Sequence, residues 1–357
     1  MGLNKEELIR YSRQTILSEI GLKGQEKLKK AKVCIVGVGG LGSVSSTQLV
    51  AMGVGFVRII DQDVVDLTNL HRQYLYDSDS LGFPKVEIAQ RRLKALNPNV
   101  EVEALPLTVT QDSAEEVVKG VDVVVDALDR FAPRYAINTA CVRNKIPYIY
   151  AGVLGTYGNV STIVPGETAC LECVVGKVED GTLPTCETAG VFPPTISIVA
   201  SIQVREAIYL LLGKKPQLMN KLFFVDTHSF EFESFDIVRR PDCNTCGKPS
   251  VARAPSVQTR PSTQDPKIAE LCGKESYMIS PRSMVTIKLD KATDRVDREF
   301  KIKVRSTFGL TFDYSEKISV SLMKTGNMLI KGAKDRDEAL QVYGRIMKML
   351  ETASLIS

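Results

Sequence analysis

Short apolar runs alternate with amphipathic stretches through the first 150 residues. Residues 33–36, 57–60, 121–126 and 148–150 have the length and apolar content of strands, and residues 42–52, 85–96 and 134–144 have those of helices. Such strands, separated by helices, belong to a parallel sheet covered on both faces. Over residues 160–238 the pattern shifts. Strand-like runs at 160–164, 222–225 and 232–238 flank one long helical stretch at 195–212, which predicts a mixed sheet continuing the first.

After Cys246 the texture breaks. Pro249, Pro255, Pro261 and Pro266 stand among Ser, Thr, Gln and Arg, a linker composition. Beyond it Val285, Ile287 and Leu289 alternate with polar residues, as do Ile302 and Val304, and Ile318, Val320 and Leu322. Gly326-Asn327 then suits a hairpin turn into Met328, Leu329 and Ile330. Asp335 with Glu338 reads as a helix N-cap, and Ala339, Val342, Tyr343, Ile346 and Leu350 form an apolar stripe behind it. The expected division is a large α/β domain over 1–247, a linker over 248–268 and a small α+β domain over 269–357.

Composition narrows the class only slightly. The chain has 357 residues, is 44% hydrophobic and carries 46 basic against 42 acidic side chains, a balance that gives no reason to expect a nucleic-acid partner. No apolar run reaches the roughly 18 residues of a membrane span, and the polar start is no secretory signal. A cytoplasmic setting is therefore expected, in which the eight cysteines are reduced or metal-bound.

The run from Val33 to Val36 enters Gly37-Val38-Gly39-Gly40-Leu41-Gly42 and then a helix. Gly37, Gly39 and Gly42 fit a phosphate-binding turn: one for the tight bend, one for close approach of backbone to phosphate, one for helix–strand packing. Asp61 ends the next strand, 19 residues after Gly42, where a carboxylate can accept ribose hydroxyls. This is a Rossmann-like nucleotide site. The glycines alone do not choose the nucleotide, and an NAD-dependent oxidoreductase would share them.

The charges that follow favour ATP. Asp63, Asn69, Arg72, Gln73 and Lys85 come soon after the second strand. A dehydrogenase has no need of this Arg and Lys, whereas cleavage of a triphosphate builds charge on the leaving pyrophosphate. Pro84 before Lys85 suits a helix start, a favourable place for phosphate. Asp129 follows a strand end and could hold a magnesium ion on the phosphates.

Cys170 and Cys173 form one C-x-x-C pair, and Cys243 and Cys246 form another 70 positions further on. Two such pairs read as a closed, structural zinc site with four thiolates. Cys34 and Cys141 lie in apolar patterns and are expected in the core. Cys186 stands in a polar, Gly-containing loop ahead of the long helix, where a thiol could reach an acyl group or could equally be incidental.

Together, Arg10-Tyr11-Ser12-Arg13-Gln14, the glycine loop, Thr68 to Gln73, Gly82-Phe83-Pro84-Lys85, Asp129, the paired C-x-x-C and Thr185-Cys186-Glu187 resemble the MoeB/ThiF-type adenylyltransferases, members of the HesA/MoeB/ThiF family and ancestral relatives of ubiquitin-activating enzymes. The resemblance covers about residues 8–247. It implies that Gly40, Asp61, Asn69, Arg72, Lys85 and Asp129 form the ATP and magnesium site. It also implies a homodimer in which Arg13 reaches the neighbouring subunit's phosphates, and that Cys186 is the thiol which takes the activated acyl group in some members. One residue departs from the family's pattern: Arg130 stands where Asn is usual. Glu270-Leu271-Cys272-Gly273 and residues 326–343 resemble a small C-terminal module of some prokaryotic members. No rhodanese-like loop is present, so sulfur, if transferred, would come from another protein.

The implied reaction joins the C-terminal glycine carboxylate of a ubiquitin-fold partner, ending in Gly-Gly, to AMP. That carboxylate is already an anion at neutral pH, so positioning and charge neutralisation suffice. A sulfur donor or a conjugating enzyme would act afterwards. A non-catalytic half of a heterodimeric activating enzyme is the other alternative, disfavoured because Arg72 and Lys85 are retained.

Overall fold

A computed structural model describes residues 2–182, 184–247, 266–270, 275–281 and 285–356. Most of the expected linker, together with Cys272, lies outside the described residues.

The first sheet has the strand order β3-β2-β1-β4-β5-β6-β7-β8. Its strands are β1 (Lys32–Val36), β2 (Phe56–Ile60), β3 (Glu101–Leu105), β4 (Val123–Asp126), β5 (Tyr148–Leu154), β6 (Tyr157–Ile163), β7 (Lys221–Asp226) and β8 (Glu231–Asp236). β3 through β5 run parallel, and β6, β7 and β8 add on antiparallel. This is the expected mixed, doubly wound α/β sheet.

Alternation along the strands builds two cores. Val33, Ile35, Val57, Ile59, Val123 and Val125 face the helices Gly40–Ala51, Lys85–Leu96 and Pro193–Leu211. Cys34, Val36, Ile60, Val124 and Tyr148 face the helices Ala114–Val118 and Phe131–Asn144. Cys34 and Cys141 are buried there as expected, and burial pushes the Cys34 thiol up to about 12. The long helix is pinned to the sheet by Gln203, whose Nε2 donates to the carbonyls of Asp126 at 2.8 Å and Ile149 at 3.1 Å. Among the described residues no helix is long and apolar enough to cross a membrane.

The second sheet is antiparallel, ordered β11-β12-β13-β14-β10-β9. It comprises β9 (Lys267–Glu270), β10 (Ser276–Ser280), β11 (Lys301–Arg305), β12 (Gly309–Asp313), β13 (Ser319–Met323) and β14 (Met328–Lys331), with the helices Leu289–Asp297 and Arg336–Thr352 packed on it. β9 takes in the last two positions of the expected linker. The Asp335 cap is as read: its carboxylate accepts the Glu338 N–H at 2.8 Å. The strand read at 285–289 is corrected. Leu289 opens a helix, and Leu289, Ala292 and Val296 are its buried face. Two alternations are too few to separate period 2 from the longer helical stripe that follows.

Candidate active site

The crevice opens where β1 lies between β2 and β4, at the point where connections leave in opposite directions. Gly37 has φ +94°, and a Cβ there would meet the Ala127 carbonyl oxygen at 2.4 Å. A Cβ on Gly42 would lie 2.0 Å from the Gly37 oxygen. Both positions therefore exclude side chains, which is the tight turn the glycine spacing required. Gly39 precedes the helix Gly40–Ala51, leaving the first backbone N–H groups of that helix to face the crevice.

Asp61 lies just past β2. Its carboxylate accepts the Val38 N–H and the Asp63 N–H, each at 2.8 Å, tying the glycine loop to the second strand. Burial raises its pKa to about 6 against the pull of Lys85, with Asp63 adding to the rise. Lys85 is 5% exposed and donates to Asp63 Oδ2 at 3.1 Å. Burial works against its charge, but Asp63 and Asp61 outweigh it and hold the ammonium above its ordinary value. Asp63 Oδ1 is buried without a partner. Pro84 is the N-cap of the helix Lys85–Leu96, so Lys85 opens that helix.

Asn69 closes the 3-10 turn Leu67–Asn69, and its side chain accepts the Asp66 N–H at 3.2 Å. Arg72 is half-buried, its Nη1 donating to the Thr68 carbonyl at 2.6 Å, and its own carbonyl lies under Gly40. Gln73 is 4% exposed and lies beside Gly39, with its side-chain oxygen unpartnered. Asp129 is exposed beyond β4, and its charge acts on both Lys85 and Arg134. The glycines, Asp61, Asp63, Asn69, Arg72, Gln73, Lys85 and Asp129 thus border one crevice.

Arg13 does not join them. It is exposed on the short helix Ser12–Thr15, and neighbouring Gln14 donates to the Met52 carbonyl at 3.0 Å. Met52 lies past the far end of the helix Gly40–Ala51, and 12 residues of helix span about 18 Å.

Three residues that sequence reading missed support the site. Tyr76 is buried and donates to the Val38 carbonyl at 2.7 Å, clamping the glycine loop. Arg134 pairs with the buried Asp126 at 3.0 Å, and its Nη2 donates to the carbonyls of Leu128 at 2.5 Å and Ala151 at 2.7 Å, fixing the turn ahead of Asp129. Asp180 accepts the N–H groups of Phe131 at 2.6 Å and Ala132 at 3.2 Å. It therefore caps a helix whose own N-cap, Arg130, supplies no side-chain bond. No periodicity marks any of the three.

Asp180 belongs to the chain leading to Cys186, the first residue of the helix Cys186–Ala189. The N-cap Thr185 shares a capping box with Thr188. This helix ends against the tip of β5, where the Gly155 N–H donates to Gly190 at 2.9 Å.

The four paired cysteines converge. Cys170 and Cys243 sulfurs lie 3.6 Å apart, as do those of Cys173 and Cys246, and all four fall within 4.8 Å of one another. Thiolates held tetrahedrally at about 2.3 Å from a metal stand about 3.8 Å apart, so the set fits such an ion. The Arg240 N–H donates to Cys173 Sγ at 3.4 Å, and Asn138 accepts the Leu171 N–H at 2.9 Å.

A model of the ThiF family matches residues 11–246. A sulfur carrier protein ThiS adenylyltransferase from Bacillus subtilis is 34% identical over 337 residues, covering 94% of this chain and 98% of that one. A sulfur carrier protein adenylyltransferase from Thermus thermophilus is 41% identical, covering 69% of this chain and 93% of the relative. Among solved structures, Escherichia coli MccB with ATP superposes with TM-score 0.61 at 30% identity, over 68% of this chain and 75% of that one. The chain belongs to the ThiF family and is one of its adenylyltransferases.

Proposed function

We propose that this chain adenylates the C-terminal glycine carboxylate of a ubiquitin-fold sulfur carrier, using ATP held between the glycine loop and Lys85. The observation that carries the reading is the buried Lys85 ammonium, opposed by Asp61 and Asp63 at the mouth of a phosphate-binding turn. A cation kept charged there neutralises the pyrophosphate as it leaves. The relative named for activating ThiS spans both sheets of this chain, which favours a sulfur carrier over a conjugated modifier.

In this reading Asp61 accepts the ribose hydroxyls, and Asn69, Arg72, Gln73 and Lys85 surround the phosphates. The carboxylate oxygen attacks the α-phosphorus, and the bond to pyrophosphate breaks. Asp129 is the residue that would hold a magnesium ion, which would supply positive charge to neutralise the phosphates. The four clustered cysteines would hold zinc in a structural role, joining the chain after β8 back to the first sheet. A homodimer suits Arg13, which faces solvent well away from its own chain's glycine loop.

Cys186 would attack the acyl-adenylate as a thiolate, forming a thioester and releasing AMP. The unpaired thiols of Cys34 and Cys141 suit a reducing, cytoplasmic setting. The large domain over 1–247 would carry the reaction, with the second sheet as a separate module. ATP–pyrophosphate exchange dependent on a carrier ending in Gly-Gly tests the first step. A thiol-sensitive adduct lost in Cys186→Ala tests the second, and an adduct that persists in that variant removes Cys186 from the mechanism.

A further inference from the structure

Asp63, Asn69, Arg72 and Gln73 sit on one poorly regular run between β2 and the helix Lys85–Leu96, and Lys85 stands where that run enters the helix. The run's only described helical turns are Leu67–Asn69 and Ser78–Ser80. Loops of this kind hold side chains less precisely than helices or strands, while phosphoryl chemistry needs its cations placed within a fraction of an ångström. Internal bonds help: the Asp66 carboxylate accepts the Thr68 N–H at 3.0 Å, and the Gly82 N–H donates to Val65 at 2.9 Å.

The remaining support comes from the second sheet. Lys331, the last residue of β14, donates to Asp66 Oδ2 at 2.5 Å. Thr311 on β12 donates to the Gly82 carbonyl at 2.8 Å and is itself bonded to Ser321 at 2.9 Å. Between these two points Val64 is buried with Met278, Met323 and Leu329. The contact is thus packed at its centre and polar at both ends. Two further bonds tie the second sheet to the first, one past β4 and one past β3. Arg130 Nη2 donates to the Glu270 carbonyl at 2.9 Å and Thr325 to the Pro106 carbonyl at 2.8 Å. The residue that departs from the family's Asn is therefore spent on holding the second sheet.

We propose that Lys331 and Thr311 are positioning residues for adenylation, through which the second sheet braces the two ends of the phosphate-site run. Lys331 acts through Asp66. One oxygen of that carboxylate takes the ammonium while the other caps Thr68, whose carbonyl receives Arg72. Burial alone would push Asp66 up, but Lys331 and the Thr68 bonds bring it down to about 2, so the carboxylate stays ionised for both tasks. Thr311 acts through Gly82, three residues before Lys85. The inference rests on the ATP reading above, and it gives the C-terminal module a part in the reaction.

The test uses the full-length chain with Lys331→Met, Lys331→Arg, Thr311→Val and, as a control, Lys303→Met. Lys303 forms an ion pair with Asp313 within the second sheet. Equilibrium binding of ATP, which needs no carrier, is measured alongside carrier-dependent exchange and thermal unfolding. Lys331→Met and Thr311→Val each weaken ATP binding and kcat/KM for ATP by about fivefold, the double variant falls by less than the product, and Lys331→Arg restores most of the loss. Lys303→Met changes neither. A purely structural contact lowers the unfolding temperature and leaves ATP affinity as it was, and that result overturns the proposal. Wild-type chain that binds ATP but exchanges with no carrier defeats the carrier reading, while the positioning roles are still judged on the binding data.

Discussion

Lys85 donates to Asp63 across 3.1 Å with only 5% of the lysine exposed. A cation so enclosed is held by its acidic neighbours until a more strongly charged partner arrives, and ATP is such a partner. Replacing Lys85 with Met removes the charge and leaves Asp61 and Asp63 facing each other. Exchange falls by about a hundredfold or more, the scale seen when one preorganised electrostatic donor is lost. Lys85→Arg does not restore it, because the planar fork does not fit a pocket built around a point charge. Exchange rates for the two variants check this.

Asp61 sets a pH dependence. Its folded pKa is raised to about 6, so the carboxyl is protonated below that pH and ionised above it. In the proposed ATP site only the ionised form would accept both ribose hydroxyls, so kcat/KM for ATP is expected to rise as pH climbs through about 6. Asp61→Asn lowers the plateau and removes this limb. ATP's own phosphate ionisation is common to both profiles, which makes the comparison decisive.

Asp180 supplies the cap that Arg130 cannot. Asp180→Ala leaves the Phe131 and Ala132 N–H groups without that partner and costs about 1 kcal/mol of stability. It also frees the chain ahead of Cys186, which becomes more readily cut by protease. Limited proteolysis with and without the substitution reads both effects, and an unchanged cleavage rate removes the anchoring role.

The cysteine cluster predicts one zinc per chain. Metal analysis of the purified protein gives a ratio near one, and Cys243→Ser lowers both zinc content and unfolding temperature. Because thiolates are the ligands, retention weakens as the pH falls.

The reach of sequence reading follows the reach of the contacts. The glycine turn, the Asp335 cap and the paired cysteines announce themselves because each is a local pattern with one physical purpose. β3, β9, β10 and β12 are not legible in the sequence, and the helix at Leu289 reads there as a strand, because short apolar alternations fit either element until packing decides. The supports of the site were hidden for another reason. Tyr76 meets Val38 from 38 positions away, Asp180 meets Phe131 from 49, and Lys331 meets Asp66 from 265. No periodicity encodes such pairs; the fold brings them together.

The most direct measurement is ATP–pyrophosphate exchange by the intact chain with ubiquitin-fold carriers that do or do not end in Gly-Gly. Exchange with the former, lost when the terminal glycine is removed or Lys85 is replaced by Met, is the expected result. Absence of exchange with every such carrier, or displacement of bound ATP by NAD at similar concentration, would contradict it.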